Sequence, residues 1–201
     1  MKFLKAIIYM RTALLMNLIW AVLLFGCDKA DDEPILAKND YEVYSAILDQ
    51  EFSFIKSPLV MSTTSAFRVR DKEWVYEGYI APRGVDRDIF DDLVSRNDTI
   101  YILEDDFNIS PRLVEFLSQV ELEAIFENDV NFDGWDTFYT KFPDSEGIIR
   151  FSRVGYNLQG TKALVEYAYS YHYLGADGGY IYLNRVNGSW IIEAFISVWA
   201  S

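Results

Sequence analysis

The sequence predicts an α+β fold, and three observations carry that prediction. The first half of the chain places apolar residues at helical spacing behind helix-start signals. The last third alternates apolar and polar residues in runs long enough for four strands. Between the last two runs stands Asn187-Gly188, the strongest short signal for a β-hairpin. No repeat, low-complexity tract or Pro/Gly/Ser linker divides residues 41–201. Helices first and antiparallel strands last therefore predict one domain, with N-terminal helices on one side of a C-terminal sheet of about four to six strands.

The elements follow in order. Asn39 and Glu42 are spaced as a capping box, and Val43, Tyr44, Ile47, Leu48 and Phe52 continue at helical spacing. Residues 58–66 and 74–80 read as strands. Ile89, Phe90, Leu93 and Val94 mark a short helix after Asp86. Ser110-Pro111 offers a capping hydroxyl and a first-turn proline. Leu113, Val114, Leu117 and Val120 carry that helix on, while 120–126 read alternatively as a strand. Asp133 as N-cap, with Trp135, Phe138, Tyr139 and Phe142 behind it, predicts a helix that ends before Pro143.

Residues 148–156, 163–173, 180–186 and 190–199 read as the four strands. A two-residue turn at Asn187-Gly188 sets Val186 opposite Ser189, Arg185 opposite Trp190 and Leu183 opposite Ile192. Strict alternation gives a core face of Ile181, Leu183, Trp190, Ile192, Ala194 and Ile196, with Arg185 over Trp190. Tyr180, Tyr182, Asn184, Ile191, Glu193 and Phe195 take the other face. This order of elements resembles the cone-shaped NTF2-like and cystatin-like folds, which implies a curved sheet around a helix and a pocket. Residues 142–201 resemble a family of uncharacterised secreted bacterial proteins. The likeness runs through Phe142-Pro143, Ser152-Arg153-Val154-Gly155-Tyr156-Asn157, Ala163-Leu164-Val165, Asn187-Gly188-Ser189-Trp190 and Trp199. It implies no activity.

Residues 1–26 read as a signal peptide. Lys2, Lys5 and Arg11 precede an apolar run over 13–25 that only Asn17 interrupts, shorter than the roughly 20 residues a spanning helix needs. The run closes on Leu24-Phe25-Gly26-Cys27, and Cys27 is the one cysteine of the chain. A small residue before a cysteine at this place resembles the lipobox of bacterial lipoproteins. The resemblance implies cleavage before Cys27, acylation of Cys27 and anchoring in a lipid bilayer. Phe25 departs from the small or aliphatic residue the pattern prefers. An ordinary signal peptide or an uncleaved anchor is the alternative. Residues 27–40 open with Asp28-Lys29-Ala30-Asp31-Asp32-Glu33-Pro34 and read as a solvated acidic tether. Lys followed by acids also resembles the surface-export signal of some Gram-negative lipoproteins. The expected address is the bacterial cell envelope, outer membrane or cell surface favoured and inner membrane open.

Charge narrows the partners. The chain carries 18 Lys+Arg against 31 Asp+Glu, a net charge of -13, and loss of three leader cations with no acid takes it to -16. Nucleic acid is excluded, because phosphate neutralisation takes clustered cations. A lone thiol excludes a disulfide framework and a Cys-rich zinc site. A protein, peptide or glycan partner is expected. No cofactor is predicted.

Four groups are candidates for chemistry. Tyr167, Tyr169, Tyr171 and Tyr173 share a strand face and form either a stacking platform for a sugar or peptide, or cross-strand packing. His172 is the only imidazole, the side chain that titrates nearest neutrality when free. Glu166 shares its face roughly 20 Å away, and Glu193 approaches from an unplaced strand. A His172–Glu193 pocket would suit acid–base chemistry in an NTF2-like enzyme or a small-ligand site. Asp129, Asn131 and Asp133 with Gly134 match the first half of an EF-hand calcium loop, whose twelfth position here is Thr140 instead of Glu. The same residues alternatively start a helix. No nucleophile elbow, Ser-x-x-Lys, HExxH, P-loop or Gly-x-Gly-x-x-Gly occurs. The sequence thus favours a lipid-anchored binding or interaction module over an enzyme.

Overall fold

Helix α1, Lys38–Gln50, opens the part of the chain that the computed structural model describes, residues 38–65, 72–126 and 133–201. It begins ahead of Asn39, so the predicted capping box is not used, and Glu42 accepts from Arg185 Nη2 at 3.1 Å instead. Asp40, assigned from sequence to the tether, is fully buried inside this helix. Of the strand predicted over 58–66 only β1, Leu59–Met61, forms; Thr63 and Ser65 make isolated bridges beyond it.

Residues 74–80 are not a strand. Helix α2, Lys72–Val75, runs into a π-helical turn, Tyr76–Ile80, and a 3-10 turn, Ala81–Arg83. Burial of Val75 and Ile80 against Ile89 and Phe90, with Tyr76 packed on the Phe90 ring at 5.5 Å, overrides the β-propensity of the segment. Helix α3, Arg87–Arg96, lies where the periodicity places it, with Asp86 at its N-cap.

No helix starts at Ser110-Pro111. The Arg112 guanidinium donates to the carbonyls of Leu48, Phe52 and Ile55 and to Asp49, so this stretch is held as a clamp on the C-terminal end of α1. Strand β2, Glu115–Leu117, follows. Helix α4, Gln119–Phe126, settles the open reading of 120–126, and Ser118 and Glu121 form a reciprocal capping box at its start. Helix α5, Gly134–Lys141, begins behind Asp133 as predicted.

The strand predicted over 148–156 is broken into β3, Ile148–Phe151, and β4, Gly155–Tyr156. Strands β5 (Lys162–His172), β6 (Gly175–Val186) and β7 (Ser189–Ala200) complete the sheet. The order is β2-β1-β3-β5-β6-β7, with β4 also paired to β5. The fold is α+β, but the sheet is mixed: β1 runs parallel to both β2 and β3.

Helices occupy both faces, not one. Tyr44, Ile47 and Leu48 of α1 bury one face through Val60, Phe151, Val165, Ile181 and Leu183. On the other, α3 covers Leu164, Tyr180, Tyr182 and Ile196, and α5 covers Leu59, Met61, Leu117 and Ile148. The hairpin register matches the sequence reading from Val186–Ser189 to Leu183–Ile192, and Arg185 lies over Trp190. Tyr182 then pairs with Ala194, so Glu193 is an extra residue in a bulge. With a side-chain period of two, one inserted residue exchanges the faces. Ala194 and Ile196 therefore join the α3 side, and Phe195 joins Ile181.

Candidate ligand-binding site

The side of the sheet that carries α3 and α5 is left low between the two helical covers. Ala168 pairs with Arg150 on one side and Gly178 on the other, and Ser170 pairs with Ile148 and Ala176. Four small residues on adjacent strands make a floor with little side-chain volume above it. The indole of Trp199 lies across Gly178, where any Cβ would collide with it. Trp135 of α5 and Phe126 of α4 meet edge to face at 5.1 Å and form an aromatic wall. The Lys141–Glu121 pair, 3.0 Å apart, ties those two helices together. Between floor and wall is a cavity of about 450 Å³.

Arg150, Ser170 and His172 bring polar atoms to this cavity, and among the described residues no carboxylate lines it. Among the described residues Arg150 is in no ion pair, and burial lowers its pKa. Glu166, further along β5 on the same face, has its carboxyl pushed up to about 7 by burial. Its pairing residue Ser152 accepts from the Glu166 N–H at 2.9 Å.

The structure separates the residues singled out from sequence. His172 ends β5 opposite Gly175, exposed and edge-on to the Tyr173 ring at 5.2 Å. Glu193 sits at the β7 bulge and accepts from Asn184 Nδ2 at 3.1 Å. Leu183, beside that bulge, pairs with Ala163, so His172 is nine residues along β5, roughly 30 Å away. The two do not share a pocket. Nor do the four tyrosines form one flat row. Tyr167 is buried edge-on to Phe195, and Tyr169 packs on Phe52 and donates to the Glu146 carbonyl at 2.8 Å. Tyr171 is 39% exposed. The register shifts between Ser170 and His172, and Tyr173 lies in the turn.

Asp133 is exposed at the α5 N-cap, and Thr140 donates to the Asp136 carbonyl at 2.8 Å. Asp129 and Asn131 lie outside the described residues, as do Cys27, the segment 1–26 and the tether up to residue 37. Among the described residues no three His, Cys, Asp or Glu side chains cluster as metal ligands.

No protein-family model matches the chain, and no curated protein and no solved structure matches it. The site is therefore read from its own geometry.

A second cluster of polar side chains is buried away from the cavity. Asp40 accepts from Arg153 Nε at 3.2 Å, the Tyr156 hydroxyl at 3.1 Å and the Val154 N–H at 3.4 Å. Burial raises its carboxyl, outweighing Arg153 and the hydrogen bonds that lower it. Arg153 also lies over the Tyr101 ring at 4.3 Å. Asn97, fully buried, accepts from the Arg153 N–H and donates to the Leu93 and Arg153 carbonyls. Each polar atom here meets another protein atom, so the cluster braces β4 against α1 and α3. Sequence reasoning missed both this brace and Arg150. The available signal was the run of small residues at 168, 170, 176 and 178, whose alignment depends on the β5–β6 register.

Proposed function

We propose that the protein is a lipid-anchored cell-envelope protein whose α+β domain serves as a binding module, taking a small ligand into the cavity beside α4 and α5. One observation carries the binding half of this reading: an aromatic-walled cavity of about 450 Å³ with a floor of small residues, a volume typical of small-molecule sites. The anchor rests on the lipobox resemblance at Cys27. Turnover is disfavoured because the imidazole of His172 and the buried Glu166 carboxyl stand six residues apart along β5, roughly 20 Å. A protein or glycan platform is disfavoured because Tyr167 is buried.

The cavity is tested with the neutral probe 3-phenylpropan-1-ol and the full chain in detergent, by calorimetric titration. Binding at millimolar concentration is expected, and Ser170→Leu, which fills the floor, abolishes it while the fold survives. Equal binding to both proteins overturns the cavity reading. Mass spectrometry of the mature N-terminus tests the anchor: an unmodified first residue other than Cys27 refutes it.

A further inference from the structure

The charge pattern around the cavity runs against that of the chain. Among the described residues the lining includes no Asp or Glu, although the chain has 31, while it does include Arg150. Arg87, Arg96, Arg112, Arg153 and Arg185 are each in an ion pair with a carboxylate. Arg150 is in none among the described residues, although it is half-buried. A cation drawn partly out of water without a partner costs free energy, and a carboxylate brought to it recovers that cost through two parallel hydrogen bonds.

Glu166 does not fill that role. It stands on the same face, two residues along from Ala168, yet burial alone accounts for its raised carboxyl. A guanidinium facing it would draw the carboxyl down. Beside Arg150, Ser170 and His172, the lining includes the apolar side chains of Trp135, Phe126, Leu122 and Ile148. Those side chains suit the body of a ligand, and Arg150 with the Ser170 hydroxyl suits a charged end.

We infer that the cavity selects a small monocarboxylate with an apolar body, its carboxylate on Arg150 and Ser170 and its body against Trp135 and Phe126. This rests on the cavity being a binding site, as proposed above. Inorganic phosphate offers no apolar body and leaves the aromatic wall unused, so it is not the expected ligand.

Three probes of one shape, 3-phenylpropionate, 3-phenylpropan-1-ol and 3-phenylpropylamine, separate the two proposals by calorimetric titration of the full chain. The anion is expected to bind at least tenfold more tightly than the alcohol, as a charge-assisted hydrogen bond requires. The amine binds most weakly. Arg150→Gln removes the preference of anion over alcohol, and Arg150→Lys restores part of it. Equal binding of anion and alcohol to the natural chain overturns the carboxylate proposal and leaves the cavity reading intact. So does displacement of the anion by millimolar inorganic phosphate. Absence of binding by all three overturns both. The ratio in the natural chain needs no variant, so a poorly folding Arg150→Gln does not suspend the test.

Discussion

Asp40→Ala is expected to be among the most damaging single substitutions in the domain. The Asp40 side chain is 0% exposed and that of Arg153 is 11% exposed, so the pair lies almost wholly out of water. Truncation leaves the guanidinium buried beside Tyr101 without its carboxylate, and removes the acceptor of the Tyr156 hydroxyl and the Val154 N–H. Removing one partner of a buried ion pair costs about 3–5 kcal/mol. The lost hydrogen bonds belong to the same network and do not add in full. At about 3 °C per kcal/mol for a domain of this size, a loss of about 4 kcal/mol lowers Tm by about 12 °C. Urea unfolding followed by tryptophan fluorescence gives the free energy, and circular dichroism the melt. Asp91→Ala is the control, because its pair with Arg87 is exposed and screened by solvent. A loss below about 1 kcal/mol for Asp40→Ala, or one equal to the control, would refute the reasoning. Replacing both partners, Asp40→Leu with Arg153→Met, should cost less than Asp40→Ala, since burial already works against the Asp40 carboxylate.

Three further outcomes are expected. Glu166 keeps its proton up to about pH 7 in the folded state, against the usual 4.5. The native state therefore binds more protons than the unfolded chain in that window, and stability falls as pH rises through it. The fall is at most about 3 kcal/mol, from about 1.36 kcal/mol per pH unit, and a Glu166→Gln variant that retains the same pH slope would exclude this account. Gly155→Ala should cost at least about 2 kcal/mol in urea unfolding, because a Cβ there meets the backbone of Ile89 and Leu93 at 2.5–2.6 Å; a loss under about 0.5 kcal/mol means that α3 yields freely. Gln50→Ala should promote concentration-dependent self-association in sedimentation velocity. Gln50 donates to the Trp190 carbonyl and accepts from the Ile192 N–H, occupying part of the open edge of β7, and an unchanged sedimentation profile counts against that role.

Elements whose signals are local were legible in the sequence. The Asn187-Gly188 turn takes positive φ at both residues, 51° and 87°, which Asn and Gly tolerate, so the hairpin and its register follow from two residues. Helices α3 and α5 follow from periodicity behind Asp86 and Asp133. Ser118 and Glu121 were equally legible as a capping box, and they, not Ser110-Pro111, start the next helix. Residues 74–80 illustrate the opposite case. Aromatic and β-branched residues there fit a strand, but burial of Val75 and Ile80 against α3 favours a helical path.

By itself the sequence determined the fold class, the hairpin register, two helices and an acidic surface, because turn chemistry, period and charge act over a few residues. Tertiary structure decided what those elements face. The extra residue at Glu193 exchanges the faces of β7, and helices then cover both sides of the sheet. The cavity arises in the same way: Ala168 and Ser170 meet Ala176 and Gly178 only through the β5–β6 pairing, and Trp135 stands over them only once α5 has docked. Volume left empty between elements is a property of their packing, and no residue encodes it alone.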